Sequence, residues 1–353
     1  MGRDACYVVR GRRDDEVGAP MIRTTVIGSW PLPEMYRERL LQYHRGILPE
    51  MLVKPTLVGA AEMAIREQKA TGVTQFMGGE FFAEVFIQHI PRKLTGVRLI
   101  KPQAVELKEY TDLAEYEVSG DIAAPHGLGY AEAFRRESQI DSALEKASVP
   151  GPLEVLAHLR PTEKAQTQLP HAIEIVNHEV QMLTAAGARE VQLDIPYIAI
   201  QSVLEQITPT QAVDLIARSF TGVGVTKTIH CCLGDLGSQS AIPVHNLHAL
   251  IPFVKQLAGV VDKVHLECSH PGQWADRACL RDIPKELEVI AGVVDVKTPV
   301  ETTDEIADRV REVLRLVEPE RLWIAPSCGF GRRRTTDIAV GKLSRMVEAA
   351  RRF

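Results

Sequence analysis

Residues 190–232 read EVQLDIPYIAIQSVLEQITPTQAVDLIARSFTGVGVTKTIHCC. Residues 190–194 and 227–232 are short strand-like runs, and 209–220 between them carries a helical apolar pattern. The two strands begin roughly 30–40 residues apart, the length of one strand, one helix and two loops, which is a parallel βαβ unit. The same signature recurs along the chain. Strand-like runs lie at 24–29, 74–80, 153–158, 263–267, 287–296 and 321–326. Helical patterns lie at 171–186, 244–257, 304–317 and 337–352. Thr302 and Glu305 frame a capping box ahead of IADRVREVLRLV, which sets one helix start. Eight strand-and-helix repeats predict a closed parallel (β/α)8 TIM barrel.

Two stretches break this rhythm. Residues 40–73 hold a long helical piece, and 92–148 form an irregular insertion expected to cover the barrel mouth. Residues 21–353 therefore read as one barrel domain behind a frayed leader at 1–20. With 353 residues, 45% of them hydrophobic, there is enough apolar surface for a large core, which excludes a disordered chain. The net charge of −5 gives no electrostatic reason to bind nucleic acid. The longest apolar runs, such as 289–294, are too short to cross a bilayer. Six cysteines in a chain this long do not resemble a disulfide framework, and they suit a cytoplasmic protein in which particular thiols bind metal or react.

In a parallel barrel, chemistry collects at the C-terminal strand ends, and the unusual residues of this sequence gather there. The strand at 227–232 ends in TIHCCLGD, where His230 and Cys232 share a face and Cys231 points away. VHLECSHPG places Glu267 in an otherwise apolar run, and WIAPSCGFG places Cys328 beside a turn glycine. One imidazole, two thiolates and a carboxylate form a natural tetrahedral set for Zn²⁺. Each residue alone has a plainer reading, since a buried cysteine packs as a small hydrophobe and a strand histidine is commonly a hydrogen-bonded core residue. Cys6, Cys268 and Cys279 read as leader or packing residues. Glu80 and Asp194 end apolar strands, suited to receive an ammonium group or to pair with an arginine.

The motifs TTVIGSWP, GGEF, LDIP, HCCLGD, LECSHP, GVVDVKTP and APSCGFG, in that order, resemble the C-terminal catalytic barrel of cobalamin-independent methionine synthase. The resemblance runs from about residue 21 to 353. It implies a zinc ion held by His230, Cys232, Glu267 and Cys328. It also implies a homocysteine carboxylate held by Ile27, Gly28 and Ser29, with its ammonium group on Glu80 and Asp194. The implied activity is zinc-dependent methyl transfer to a thiol, most simply homocysteine to methionine, with Lys297 as a candidate catalytic group.

The chain departs from the family pattern at several points. The family's N-terminal domain has no counterpart in these residues, and the tryptophan and glutamate expected at the pterin align with His158 and Ile200. LDEP has become LDIP, with Ile195 for the glutamate. Lys297 stands where the long enzymes carry a proton-donating histidine, and Ser327–Cys328–Gly329 replaces their DCG. These departures predict folate to be a poor methyl donor and a corrinoid protein to be the donating partner. They leave two alternatives: a coenzyme M transferase-like enzyme adding a thiol to an epoxide, and a barrel that binds a ligand without turnover.

Overall fold

A computed structural model describes residues 22–83, 87–104, 112–235, 241–242, 246–331 and 334–353. The leader at 1–20, Cys6 and the first part of the expected helix at 244–257 lie outside the described residues. Among the described residues, seven strands form one parallel sheet. In sheet order they are β1 (Arg23–Thr24), β10 (Leu322–Pro326), β9 (Glu288–Val294), β8 (Lys263–Glu267), β7 (Thr226–Cys231), β6 (Glu190–Asp194) and β4 (Lys146–Pro150). A smaller sheet pairs β2 (Thr95–Lys101) antiparallel with β3 (Glu115–Ala123), which in turn pairs parallel with β5 (Leu159–Arg160).

Helices fill the connections. They are α1 (Glu34–His44), α2 (Glu50–Thr71), α3 (Tyr130–Ser138), α4 (Pro152–Leu156), α5 (Thr162–Gln166), α6 (Leu169–Ala185), α7 (Pro196–Val203), α8 (Pro209–Ser219), α9 (Ile251–Val254), α10 (Pro271–Ala275), α11 (Thr303–Val313) and α12 (Thr336–Ala350). The capping box at Thr302 and Glu305 starts α11, and its face of Ile306, Ala307, Val310 and Val313 is buried. None of the described helices is long and apolar enough to cross a membrane.

The two faces of the sheet differ because side chains alternate along each strand. Val191, Leu193, Ile229, Cys231, Val264, Leu266, Val289 and Ile324 join the large core shared with the helices, whereas Ile27, Ile290, Trp323 and Ala325 form a separate small cluster. The inner side is otherwise polar and tightly paired. Glu190 accepts from Lys263 Nζ at 2.8 Å, Thr228 Oγ1 at 2.7 Å and Gln75 Nε2 at 3.0 Å. Trp323 Nε1 donates to Glu288 at 2.7 Å. Buried charges persist only when paired in this way, so these contacts fix which strands stand side by side.

Two expectations need correction. Residues 153–158 are not a barrel strand. Gly151 is extended, Pro152 opens a helix in its first turn, and the stave is Lys146–Pro150 instead. A short apolar run does not separate strand from buried helix, and the true strand was disguised by the inward-facing Lys146 and Ser148. Secondly, the expected closed eight-stranded barrel is found as a curled sheet of seven described strands. The run 74–80 joins it through one bridge, Thr25 to Gln75, instead of a full ladder. The stretch 92–148 contributes β2, β3 and α3 and ends inside β4. Glu179 of α6, fully buried, ties α3 down by accepting the N–H groups of Leu128 and Ala131.

Candidate active site

Parallel register sets Asp194 beside His230, His230 beside His265, and His265 beside Ile290 across β6 to β9. Cys232 follows directly on β7, and Cys328 lies two residues beyond the end of β10. These ends converge. One ligand atom each from His230, Cys232 and Cys328 lies within 4.8 Å of the others. The two Sγ atoms are 3.4 Å apart, and Cys328 Sγ is 3.7 Å from His230 Nε2. The N–H of Gly234 points at Cys232 Sγ at 3.2 Å, a donor that favours a thiolate. Without a cation the Cys328 contact and burial hold the Cys232 thiol well above its ordinary pKa. Burial likewise holds the His230 imidazole neutral, with its pKa well below normal. A neutral imidazole and two adjoining thiols, with His230 and Cys232 buried and Cys328 half-buried, match the donor set that zinc prefers. Cys231 points the other way into the large core, as strand alternation predicts.

Glu267, the fourth expected ligand, does not fall within that close group. Its carboxylate accepts the Leu233 N–H at 2.9 Å and pairs with Lys297 Nζ at 3.1 Å. Burial alone would depress the Lys297 ammonium, but Glu267, then Cys232 and Cys328, raise it above its ordinary value. Lys297 is thus a fixed positive charge facing the thiols.

The expected substrate residues also gather. Glu80 takes a left-handed backbone, φ 58°, and its carboxylate accepts from Ser148 Oγ. A Cβ on Gly28 would stand 2.3 Å from Glu80 Oε1, so a side chain there would displace the Glu80 carboxylate. Asp194 accepts from Gln192 Nε2 at 2.7 Å, and the same amide donates to the Ile27 carbonyl at 2.8 Å. Burial, and after it the Glu80 charge, push the Asp194 carboxyl well above the usual range. Ser29 is placed differently. Its hydroxyl accepts from the Gly331 N–H at 3.2 Å, and its carbonyl accepts from Phe330 N at 2.9 Å, which ties the segment after β1 to the Cys328 loop.

His265, Tyr130 and Glu154 escaped the sequence reading, as did the burial of His158. His265, buried beside His230, shares the i, i+2 spacing with Glu267 that His230 shares with Cys232, and that spacing was a readable signal. Tyr130 opens α3 close enough to Glu80 and Asp194 for both to raise its phenol further, after burial. Glu154 is 1% exposed. One of its oxygens accepts Tyr197 N–H at 2.7 Å, while Oε2 has no partner. Burial lifts its pKa to about 8. His158 is also buried with Nε2 unpartnered, and burial lowers it to about 4. Nothing in the sequence around Glu154 or His158 announces burial.

A curled parallel sheet with an imidazole–dithiol cluster that could hold a metal ion and a carboxylate pair at its C-terminal edge defines the class, an α/β protein. The match is specific. Residues 22–352 fit the family described as cobalamin-independent synthase, catalytic domain, and the chain belongs to that family. A curated relative from Bacillus thuringiensis, a 5-methyltetrahydropteroyltriglutamate–homocysteine methyltransferase, is 24% identical over 342 residues. That match covers 94% of this chain and 43% of the relative, so the chain spans less than half the length of its curated relatives. A B12-independent methionine synthase from Shewanella, solved with selenomethionine, superposes with a TM-score of 0.76 at 20% identity, covering 94% of this chain and 97% of that one. A Listeria monocytogenes protein described as a putative vitamin-B12-independent methionine synthase gives 0.64 at 19% identity, covering 92% and 95%. These likenesses support the α/β fold.

The expectation of a corrinoid protein as methyl-donating partner is overturned, because the family is cobalamin-independent and its curated relatives carry a methylated folate in their name. His158 and Ile200 bear on how tightly a pterin would be held, and the loss of one aromatic stack changes an affinity by about 0.5–1.5 kcal/mol beyond its buried area.

Proposed function

We propose that this chain transfers a methyl group from a methylated folate to the sulfur of homocysteine, giving methionine, at a zinc centre held by His230, Cys232 and Cys328 with Glu267 as fourth donor. The observation that carries this reading is the adjacency of two half-sites. The His230–Cys232–Cys328 cluster lies within 4.8 Å internally, and Asp194 stands beside His230 in register. Zinc, when bound, supplies the Lewis acidity that favours the thiolate form of a substrate thiol near neutral pH.

The chain's own residues then do the rest. Asp194 and Glu80 receive the substrate ammonium, and its arrival relieves the repulsion between the two carboxylates. Backbone at Ile27 and Gly28 lies against these groups, and in this reading it holds the substrate carboxylate together with Ser29. Two thiolates and a carboxylate around a dication leave one negative charge, which Lys297 offsets. The substrate sulfur forms a bond to the methyl carbon as the carbon–nitrogen bond to the folate breaks and the leaving nitrogen is protonated. Fixed orientation of the two reactants at the strand ends supplies much of the rate.

In the same reading the run 74–80 is the eighth stave of a closed barrel. Gln75 reaches both Thr25 and Glu190, and Glu80 is bonded to Ser148 of β4. The described part of the insertion ahead of β4, with β2, β3 and α3, is then the cover of the mouth, and Tyr130 of α3 comes close to the carboxylate pair. The deciding experiment supplies zinc-loaded protein with homocysteine and methyltetrahydropteroyltriglutamate and measures methionine. Turnover that disappears in Cys232→Ala supports the reading. No methionine from protein carrying one zinc per chain overturns it.

A further inference from the structure

The buried ring of His265 has Nδ1 2.6 Å from His230 Nδ1 and Nε2 3.0 Å from the carbonyl oxygen of Pro326. A carbonyl only accepts, so His265 carries its proton on Nε2. Two rings held away from water, with no carboxylate among the described residues bonded to either, remain neutral, and each then has one N–H. His265 Nδ1 is therefore a bare acceptor, and His230 must place its proton on Nδ1. His230 Nε2 is left as a lone pair facing Cys328 Sγ at 3.7 Å.

The chain of protons has a direction set by a single peptide carbonyl. That carbonyl is available because the register of β10 against β9 shifts between Ala325 and Pro326. Gly292 of β9 leaves the space, since a Cβ there would stand 3.0 Å from His265 Nε2 and 2.9 Å from Ser327 Cα.

We propose that His265 is a positioning residue that fixes the tautomer of His230, so that the Nε2 lone pair is aimed at the thiol pair before any metal arrives. This rests on the zinc reading for its purpose, but the tautomer itself does not depend on it. Ligating histidines commonly donate their second N–H to a carboxylate, a carbonyl or water, and loss of such a partner costs about ten- to a hundredfold in metal affinity. Here the partner is a second imidazole.

The test begins with nitrogen-15 histidine NMR on the metal-free parent, with the His230 signals identified by their loss in His230→Gln. A proton on Nδ1 and a bare Nε2 is expected, and the reverse tautomer overturns the proposal. Zinc affinity by chelator competition is then compared for two variants. His265→Phe keeps the ring volume but offers no acceptor, and should bind zinc about ten- to a hundredfold more weakly. His265→Asn offers a carbonyl near the old Nδ1 and should recover much of the loss. A residue that merely filled space would give the opposite order, with Phe tolerated and Asn impaired, and that order also overturns the proposal. If the parent binds no zinc, the zinc reading falls while the NMR result still decides the tautomer.

Discussion

Lys297 Nζ sits 3.1 Å from Glu267 Oε2 in a pair whose carboxylate side chain is only 3% exposed. Glu267 lies outside the close cluster of His230, Cys232 and Cys328, and the pair with Lys297 helps to hold it there. Breaking a buried pair by removing one partner costs about 3–5 kcal/mol, since the other charge is left uncompensated. Lys297→Met should therefore lower the melting temperature of zinc-free protein. If Glu267 is the fourth ligand, zinc should restore more of that temperature in Lys297→Met than in the parent, because the freed carboxylate gains a cation. Equal zinc-induced shifts in the two proteins, read by differential scanning fluorimetry, would remove Glu267 from the ligand set.

One zinc per chain is expected, as three or four protein donors make one tetrahedral site. Cys232→Ala and Cys328→Ser should lose most of it on dialysis, measured by atomic emission. Cys231→Ala should keep it, since that side chain packs in the large core on the opposite face of β7. Similar metal loss in all three would contradict the assignment of faces.

How much of this was legible follows from periodicity. The strands at 190–194 and 263–267 coincide with β6 and β8, and the ends that carry His230, Glu267 and Cys328 were read correctly because a polar residue closing an apolar run stands out. The stave at 146–150 was missed for the converse reason. Its inward residues, Lys146 and Ser148, face a polar interior, so no apolar alternation marked it. His265 went unnoticed in the run that drew attention to Glu267, because its meaning lies in a partner 35 positions away on the neighbouring strand. Glu154 and His158 were invisible as buried groups, since burial is a property of the packed chain.

Asp194 sets substrate affinity against stability. Its carboxyl is pushed up first by burial and then by Glu80, so the empty site stores a desolvation cost as well as like-charge repulsion. Asp194→Asn should stabilise the empty protein by about 0.5–2 kcal/mol, the common size of a single stabilising substitution. It should also weaken homocysteine binding about ten- to a hundredfold, since a charge-assisted hydrogen bond contributes about 1.5–3 kcal/mol. Zinc content should not change. Calorimetric titration together with urea melts separates these effects, and a variant that binds homocysteine as well as the parent would exclude Asp194 from ammonium recognition.

Glu154 should make stability depend on pH in a defined window. Burial raises its pKa from 4.5 to about 8, against the smaller opposing effect of the Tyr197 N–H. Between those values the folded chain keeps a proton that the unfolded chain has released. Stability relative to high pH is therefore fully present below about 4.5 and is lost as pH rises towards 8. One proton sets the limiting slope at about 1.4 kcal/mol per pH unit. Glu154→Gln keeps an oxygen for Tyr197 N–H and has no charge to bury. Other titrating groups are common to both proteins, so the difference between their urea-unfolding free energies isolates this carboxyl. That difference should move in favour of the variant from pH 5 to pH 8 and level off above it. Parallel stability curves for the two proteins would mean that the folded chain does not hold Glu154 protonated.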